Sequence, residues 1–436
     1  MTSEFDECIE RATEQLDASN PPAAFAALRP VFGDAALSDD APRLARALEV
    51  LAAIATPIAG PEFAALVGRA AANPHDPAVL HAVGYECLEQ QLRWPAICVL
   101  RRAVALGPGE APLLRELVIA LEADGRHAMA VASLRAAPEL LRTHFELRYL
   151  HAFNALMAGS LAEGAARLSE LGEPGDAQQV EMAQRLDAMH SRANAAGRVT
   201  TLDDTDLRGW HFVTSGGLLL HVSPFGHADG MNGRYAMTQD SAARCRKGLL
   251  RLHAVLDEWE QIPERVLLLP DRDSHVLGMA AAAMYGVPAE PFEEGTPGVI
   301  VAYDLSTLDR STPAAVARHH ADQLLFAHAT CWTDPPPCVP DLTTYLYQVN
   351  VPLSFDSGPG STAPPALVDP DDPTVEVAVQ SILDAIVDDE ADDLPTDTLP
   401  AVVTFANEVR PLTAAARSDG LRAPMLEGGP VRSTRL

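Results

Sequence analysis

The chain has 436 residues, 47 % hydrophobic and 21 % charged, which is typical of a soluble globular protein and too long for one ordinary core. Its 32 basic and 60 acidic residues give a net charge of −28. Binding to phosphate backbones requires clustered Lys and Arg, so this balance argues against nucleic acid and anionic membranes as partners and favours a basic protein or peptide. The alternative is that the acidity serves solubility alone.

The beginning of the chain predicts neither a signal peptide nor a membrane anchor. The stretch MTSEFDECIERATEQLDASN is acidic with a helical pattern, and no segment of the chain reaches the roughly 20 apolar residues of a membrane span. Six cysteines are scattered, and Cys8, Cys87 and Cys98 fall where helices bury small residues. Because the cysteines do not form a disulfide framework, we expect the reducing cytoplasm.

Residues 1 to about 195 predict a domain of short helices separated by Pro- and Gly-containing breaks. Within it, Pro74 and Pro108 close helix pairs 34 residues apart. Small or apolar residues recur at this period, and a third, weaker register runs from Arg148 to Leu171. The two strong registers are Leu80, Val83, Gly84, Cys87, Ala96, Leu100 and Ala103, and then Leu114, Leu117, Val118, Leu121, Ala130, Leu134 and Ala137.

The small residues of this pattern have a physical use. We expect Gly84 and Ala96 to face each other where two helices of a hairpin cross, because small side chains let backbones approach, while Leu80 and Leu100 fill the core between neighbours. Over about residues 40 to 175 the sequence therefore resembles the tetratricopeptide repeat (TPR) family. The resemblance implies an α-solenoid whose groove holds a peptide or partner domain. The alternative is a generic Ala-rich helical bundle.

Residues 196 to 210 are polar and predict a linker, after which the periodicity changes. The segment WHFVTSGGLLLHV predicts a hairpin of two short strands around Ser215-Gly216-Gly217. A helix is expected from about 241 to 260. The apolar runs at 265 to 270 and 298 to 305 predict buried strands.

Between and after these strands we expect further helices. VLGMAAAAMYG predicts a helix with Ser274 as its N-cap and Gly286 as its C-terminal stop, and AAVARHHADQLL predicts another. A third strand is expected within LLFAHATCW. This alternation predicts a three-layer α/β domain with a mostly parallel sheet over residues 205 to 350.

The remaining residues predict a connector and a tail. Residues 356 to 398 are Pro-rich and then acidic, with a short helix near 374 to 387, and the acidic part, 369 to 398, either docks on the domain or stays mobile. Residues 399 to 436 predict a C-terminal helix, and the last fifteen or so residues of the chain look disordered.

Polar residues follow both predicted strands, where ligands bind in open α/β sheets. The first strand is followed by Asp271, Arg272, Asp273 and Ser274, and the second by Asp304, Ser306 and Thr307. Over about residues 265 to 325 this arrangement resembles the phosphoribosyltransferase fold. The resemblance implies Asp271, Asp273 and Asp304 as candidate catalytic acids and Arg272, Ser274, Ser306 and Thr307 as ligand-binding residues.

The sequence departs from that family at the second strand. Tyr303 stands where the first of two acids is expected, and no glycine follows Ser306 and Thr307. These departures predict a non-catalytic copy, in which Asp271 and Asp273 belong to a helix N-terminus and Asp304 satisfies loop amides.

For metals and cofactors we expect none. His319 and His320 are adjacent on a predicted helix and point about 100° apart. His328, Cys331 and Cys338 lack the two tight ligand pairs typical of structural zinc sites. The motifs GxxxxGK[ST], GxGxxG, HExxH and GxSxG do not occur.

Two functions remain in competition. The first is an interaction protein that binds a peptide or partner domain in a TPR groove and carries a non-catalytic α/β domain for a ligand or second partner. The second is a phosphoribosyltransferase-like or other nucleotide or sugar-phosphate enzyme whose repeats select targets. Charged residues on the first helices of the repeats favour the former, and an open polar pocket around Asp271 and Asp304 favours the latter.

Overall fold

A computed structural model of the chain describes residues 3–107, 109–308, 312–352, 372–387, 394, 397–416, 419–426 and 429–434. Pro108 and, within the predicted connector at 356 to 398, residues 356 to 371, 388 to 393 and 395 to 396 lie outside these residues. The chain divides into two compact units, Met1–Leu186 and Asp187–Leu436. The division falls inside the helix Ala177–Ala196, whereas the sequence predicts the linker at 196 to 210.

The first unit is built from helices joined by short breaks. In chain order they are α1 (Glu4–Asp17), α2 (Pro21–Ala27), α3 (Arg29–Gly33), α4 (Ala41–Ala59), α5 (Pro61–Ala72), α6 (Pro77–Glu89), α7 (Arg93–Leu106), α8 (Ala111–Ala123), α9 (His127–Arg135), α10 (Pro138–Thr143), α11 (Phe145–Met157), α12 (Leu161–Ser169) and α13 (Ala177–Ala196). Capping residues determine where several of these helices begin. At the start of α6, for example, the carboxylate of Asp76 accepts from the N–H groups of Ala78 and Val79, and Pro77 occupies the first helical position.

Three consecutive hairpins recur at a fixed spacing. Their first helices, α6, α8 and α11, begin at Pro77, Ala111 and Phe145, which are 34 residues apart (111 − 77 = 145 − 111 = 34). Their second helices, α7, α9 and α12, begin at 93, 127 and 161, again 34 residues apart. Each first helix packs against its own second helix, and α7 packs against α8 as α9 does against α11. The period in the sequence is therefore a period of helices in space.

The repeated small and apolar positions face the interior of these hairpins. Leu80, Val83, Gly84, Cys87, Ala96, Leu100 and Ala103 are buried, and so are their counterparts Leu114, Leu117, Val118, Leu121, Ala130 and Leu134. Ala137 is different, because α9 ends at Arg135 and Ala137 is half-buried at the start of α10. Gly84 lies against Leu100, since a Cβ atom at Gly84 would lie 2.4 Å from Leu100 Cγ.

Gly84→Ala should therefore destabilise the first unit although alanine is the better helix former. The added methyl group overlaps Leu100, and over-packing of this kind costs on the order of 1–3 kcal/mol in the free energy of unfolding. The matched control is Gly68→Ala in α5, where a Cβ atom meets nothing within 4 Å and a gain of about 0.5–1 kcal/mol is expected. Urea denaturation of both variants measures the two effects, and shifts of the same sign would contradict this packing.

The second unit contains helices and strands in alternation. They are α14 (Leu207–Ser215), β1 (Leu218–Leu219), β2 (Tyr235–Gln239), α15 (Ala242–Glu258), β3 (Val266–Leu268), α16 (Arg272–Tyr285), β4 (Ala289–Pro291), β5 (Gly298–Asp304), α17 (Thr312–Val316), β6 (Arg318–His319), β7 (Gln323–Cys331), β8 (Leu342–Val351), α18 (Pro373–Asp384), α19 (Leu399–Val409) and β9 (Gly420–Leu421).

Seven strands form one sheet in the order β1-β8-β7-β5-β3-β4, with β2 also beside β8, and every pairing in it is parallel. The prediction of a mostly parallel sheet with helices is confirmed. Helix α16 packs on β3 and β5, where Gly278 approaches Leu268, while Leu267, Ile300 and Ala302 join a buried cluster on the opposite side of the same strands. Strands β6 and β9 form a separate antiparallel pair.

Two predicted secondary structures are wrong. WHFVTS is not a strand: it belongs to helix α14, and Gly216 ends this helix in the left-handed region with φ of 82° instead of turning a hairpin. AAVARHHADQLL is not one helix, because α17 stops at Val316 and β7 begins at Gln323. Between them Arg318 pairs with Leu421 of β9, a contact with a distant segment that overrides the local helical pattern.

Two further expectations are corrected at helix and chain ends. The N-cap of α16 is Asp271, not Ser274, because the Asp271 carboxylate accepts from the N–H of Ser274 at 2.9 Å. Gly286 does end α16, with φ of 69°. The chain end is not disordered where the structure describes it, since Arg422 and Val431 are buried. Within the described part of the chain, none of the helices is long and apolar enough to cross a membrane.

Candidate functional site

The ends of β3 and β5 come together as the parallel pairing of these strands requires. The backbone N–H of Tyr303 donates to Oγ of Ser274 at 2.9 Å, which ties the end of β5 to the first turn of α16. Asp271 is 4 % exposed, and burial raises the pKa of its carboxyl group. The two loops therefore come together around a buried carboxyl group.

Asp304 is surrounded by donors from its own turn and from β8. Its carboxylate accepts from the N–H of Ser306 at 2.9 Å, from the Ser306 hydroxyl at 2.7 Å and from the Tyr347 hydroxyl. Burial raises the pKa of Asp304 in spite of these hydrogen bonds, and the negative charge of Asp271 adds to the effect. Asp304, at 2 % exposure, is a strand-end group that satisfies its own loop.

The other predicted ligand-binding residues lie close to the same strand ends. Arg272 is buried, donates to the Thr374 hydroxyl and lies 3.6 Å from the Asp372 carboxylate at the start of α18. Asp273 is half-buried in the first turn of α16, and Thr307 ends the short 3-10 helix Leu305–Thr307. The acidic segment thus does dock through its first residues, and Arg272 faces protein.

A second buried cluster lies at the start of α15, in a segment without a recognisable sequence motif. Asp240 follows β2, and its Oδ2 accepts from the Tyr303 hydroxyl at 2.7 Å and lies 3.1 Å from His328 Nε2 and 3.7 Å from Cys245 Sγ. The side chains of Asp240 and His328 are 0 % exposed. This cluster pairs His328 with Asp240 and Cys245, whereas the sequence grouped His328 with Cys331 and Cys338.

In this cluster, burial and the neighbouring groups shift the pKa of Asp240 in opposite directions. Burial acts to raise the pKa of Asp240, but positive charge on His328 and the hydrogen bonds from His328 and Tyr303 outweigh it and hold the pKa below its usual value. Burial and then the negative charge of Asp240 raise the pKa of the Cys245 thiol well above its usual value. A carboxylate, an imidazole and a thiol in one place are ligand types that transition metals accept.

A third cluster centres on Asp397, which the sequence placed in the acidic segment. Its carboxylate accepts from Arg208, from Arg251 Nη1 at 3.0 Å and from His221 Nδ1 at 2.5 Å. Although burial opposes it, these groups lower the pKa of Asp397 to about 2. Because an ionised carboxylate accepts only, Nδ1 of His221 carries a proton, and Nε2 lies 2.7 Å from the Tyr235 hydroxyl oxygen.

Tyr235 connects this chain of hydrogen bonds to a small cavity. The cavity has a volume of about 230 Å³ and is lined in part by Arg234, Tyr235 and Arg244. The Arg244 guanidinium lies 5.3 Å from the centre of the Tyr235 ring, and Tyr235 packs edge-on to Tyr345 with ring centres 5.5 Å apart. Because the Tyr345 ring also packs against His328 of the second cluster, the second and third clusters are neighbours.

The first unit carries a larger groove of about 500 Å³. Its walls come from the first helices α8 and α11 and from the segment around Glu173 and Gln179. Arg115 and Glu146 form an ion pair across it at 3.3 Å, and both side chains remain nearly half exposed. Arg148 is held at its edge by donating to the Leu171 carbonyl at 2.8 Å.

Polar contacts join successive first helices. His81 of α6 lies 2.7 Å from the Glu116 carboxylate of α8, and Asn154 of α11 donates to Glu122 of α8 at 2.5 Å. Arg115 and Glu146 make the contact between α8 and α11 described above. Charged residues therefore do occur on the first helices, a feature expected of an interaction protein.

Comparison with models of known families, with curated proteins and with solved structures finds no match for this chain. Its function must accordingly be argued from its own residues.

Proposed function

We propose that this is an interaction protein of the TPR type, whose first unit binds a peptide in the groove between its first helices. The observation that carries the proposal is the groove of about 500 Å³ walled by α8 and α11. Support comes from the 34-residue spacing of three successive hairpins, which is the length of a tetratricopeptide repeat. Stacked hairpins of this kind present a continuous concave surface to a partner.

The chemistry of the groove favours a peptide with a basic side chain. Glu146 is 47 % exposed on its side chain although it pairs with Arg115, and Glu173 is exposed at the same groove. Over the whole chain, 60 acidic residues outnumber 32 basic residues, so the long-range electric field of the protein attracts cations. A lysine or arginine of the peptide is expected to approach Glu146 and Glu173, with Phe145 and Pro112 offering apolar contact.

For the second unit we propose a non-catalytic role in binding a ligand or a second partner. Asp271 and Asp304 are buried, and the oxygens of Asp304 are occupied by Ser306 and Tyr347, so they are poorly placed to hold a magnesium diphosphate. The cytoplasm is the proposed compartment, because all six cysteines are buried free thiols.

The groove is tested by exchanging its ion pair. Peptides are selected from a random display library on the full chain, and their affinity is then measured by fluorescence anisotropy. The double variant Arg115→Glu with Glu146→Arg keeps an ion pair but inverts the charges that a peptide meets, so we expect affinity to fall at least about tenfold, or about 1.4 kcal/mol.

The matched control exchanges an ion pair on a second helix. Arg167 and Glu170 lie 2.6 Å apart near the end of α12, and the double variant Arg167→Glu with Glu170→Arg should bind the selected peptides as the unaltered chain does. Failure to enrich any peptide, or equal affinity of both double variants, would overturn the proposal that this groove is the binding site.

A further inference from the structure

The cluster at the start of α15 has the geometry of a metal site. One ligand atom each from Asp240, Cys245 and His328 lies within 4.8 Å of the other two, and all three residues are buried. Asp240 directly precedes Ser241, the N-cap of α15, and Cys245 lies near the start of that helix. His328 comes from β7. We propose that these three side chains hold a zinc ion inside the second unit.

The two separations that meet at Asp240 Oδ2 agree with tetrahedral zinc, and the nitrogen of His328 and the sulfur of Cys245 lie within 4.8 Å of each other. With Zn–O and Zn–N bonds of about 2.0–2.1 Å and a Zn–S bond of about 2.3 Å, the edges of the tetrahedron are roughly 3.3 Å for O···N and 3.5 Å for O···S. The observed separations from Asp240 Oδ2 are 3.1 Å to His328 Nε2 and 3.7 Å to Cys245 Sγ. Small shifts of the side chains would therefore close the site.

Tyr345, which packs beside His328, offers a fourth ligand. The Tyr345 hydroxyl is buried and, within the described residues, has no hydrogen-bond partner. The Tyr345 ring lies edge-on to His328 with centres 5.1 Å apart, and after burial the charges of Asp240 and Cys245 contribute to raising the pKa of Tyr345. An orphaned buried hydroxyl is costly, and a zinc ion at this position would satisfy it as the fourth ligand.

Neighbouring side chains hydrogen-bond to the ligands and orient them, as is usual in zinc proteins. Tyr303 donates to Asp240 Oδ2 at 2.7 Å and so fixes the carboxylate. When zinc occupies Nε2 of His328, Nδ1 carries a proton and needs an acceptor. In the described chain neither Nδ1 of His328 nor Oγ1 of Thr344 has a hydrogen-bond partner. A Cβ atom placed on Gly248 would lie 2.7 Å from this Nδ1 and 2.6 Å from this Oγ1, so both atoms adjoin the same point beside Gly248.

Charge balance also favours the ion. Zinc with the Asp240 carboxylate and the Cys245 thiolate has no net charge, which suits a site without solvent access. On binding, the Cys245 thiol loses its proton to solvent, as does His328 Nε2, and Zn–S, Zn–N and Zn–O bonds replace the contacts of Cys245 and His328 with Asp240, while the hydrogen bond from Tyr303 remains. The ion would join the start of α15 to β7 and act as a structural link.

Metal content tests the proposal on the full chain, purified without chelators and with any affinity tag removed. Mass spectrometry of the metal should find about one zinc per chain, and the cobalt(II) form should show a thiolate-to-cobalt charge-transfer band. Cys245→Ser should abolish the band, and His328→Gln should reduce bound zinc at least about tenfold.

The control is Cys338→Ser, which alters another fully buried cysteine of the same unit and should leave both readouts unchanged. If the variants at the site fail to fold, the unaltered chain still decides. Absence of zinc together with absence of a cobalt band would overturn the proposal and leave a buried Asp240–His328 ion pair. So would a band that persists in Cys245→Ser.

Discussion

Asp397→Asn should destabilise the second unit by about 3–5 kcal/mol, because it leaves the buried guanidinium groups of Arg208 and Arg251 without their counter-ion. The Asp397 side chain is 1 % exposed, so solvent cannot replace the lost charge. Urea denaturation followed by tryptophan fluorescence measures the change, since Trp210 and Trp259 are fully buried in this unit.

A surface ion pair supplies the control. Arg265 and Glu290 lie 3.1 Å apart with side chains 33 % and 43 % exposed, so Glu290→Gln should cost at most about 1 kcal/mol. Equal midpoints for Asp397→Asn and Glu290→Gln would show that the Asp397 cluster does not stabilise the fold.

The same carboxylate should make stability depend on acid pH. The pKa of Asp397 is lowered from 3.8 to about 2, so its stabilisation is fully present above pH 3.8 and is lost as the pH falls through about 2. Since a shift of this size corresponds to roughly 2 kcal/mol, the stability difference between the unaltered chain and Asp397→Asn should shrink between pH 4 and pH 2. A constant difference over this range would contradict the lowered pKa.

Arg422→Ala should cost a similar amount, about 3–5 kcal/mol, although the sequence predicts a disordered tail at this position. The Arg422 guanidinium donates to the Asp341 carboxylate at 2.8 Å and to the carbonyl groups of Val316 and Arg318 at 2.7 Å each. Removing it leaves Asp341, whose side chain is 0 % exposed, as a buried negative charge.

The comparison for this variant is Arg318→Ala. The Arg318 side chain is 65 % exposed and lies 3.5 Å from Glu294, so its loss should change the unfolding free energy by less than about 1 kcal/mol. If the chain end were flexible, Arg422→Ala would cost as little stability as Arg318→Ala. The denaturation midpoints of the two variants therefore distinguish a docked chain end from a flexible one.

The helical repeat could be predicted from the sequence because its signals are local. Each hairpin places its small and apolar residues at positions set by the helical period, so Gly84 and its counterpart Val118 are visible as a spacing of 34. The apolar runs of β3 and β5 are likewise contained within a few residues and were placed correctly. The close approach of Leu100 to Gly84 could not be predicted from the spacing alone, because Ala96 and Leu100 lie on the same face of α7 one turn apart.

The errors in the second unit arose where distant segments decide the conformation. Residues 317 to 323 have a helical pattern, but pairing with β9 and insertion of Arg422 hold Arg318 and His319 extended. In the first turn of α16 both Asp271 and Ser274 are capping residue types, and the placement of Ser274 against Tyr303 of β5 leaves the cap to Asp271.

The buried polar clusters were the least accessible to sequence reasoning. His328 is 88 residues from Asp240, and His221 is 176 residues from Asp397, one of eleven acids between 369 and 398. Composition and periodicity by themselves determined the two kinds of architecture and the acidic character of the chain. The tertiary structure alone decided which charges are buried together, because a charge tolerates burial only where folding brings its partner from elsewhere in the chain.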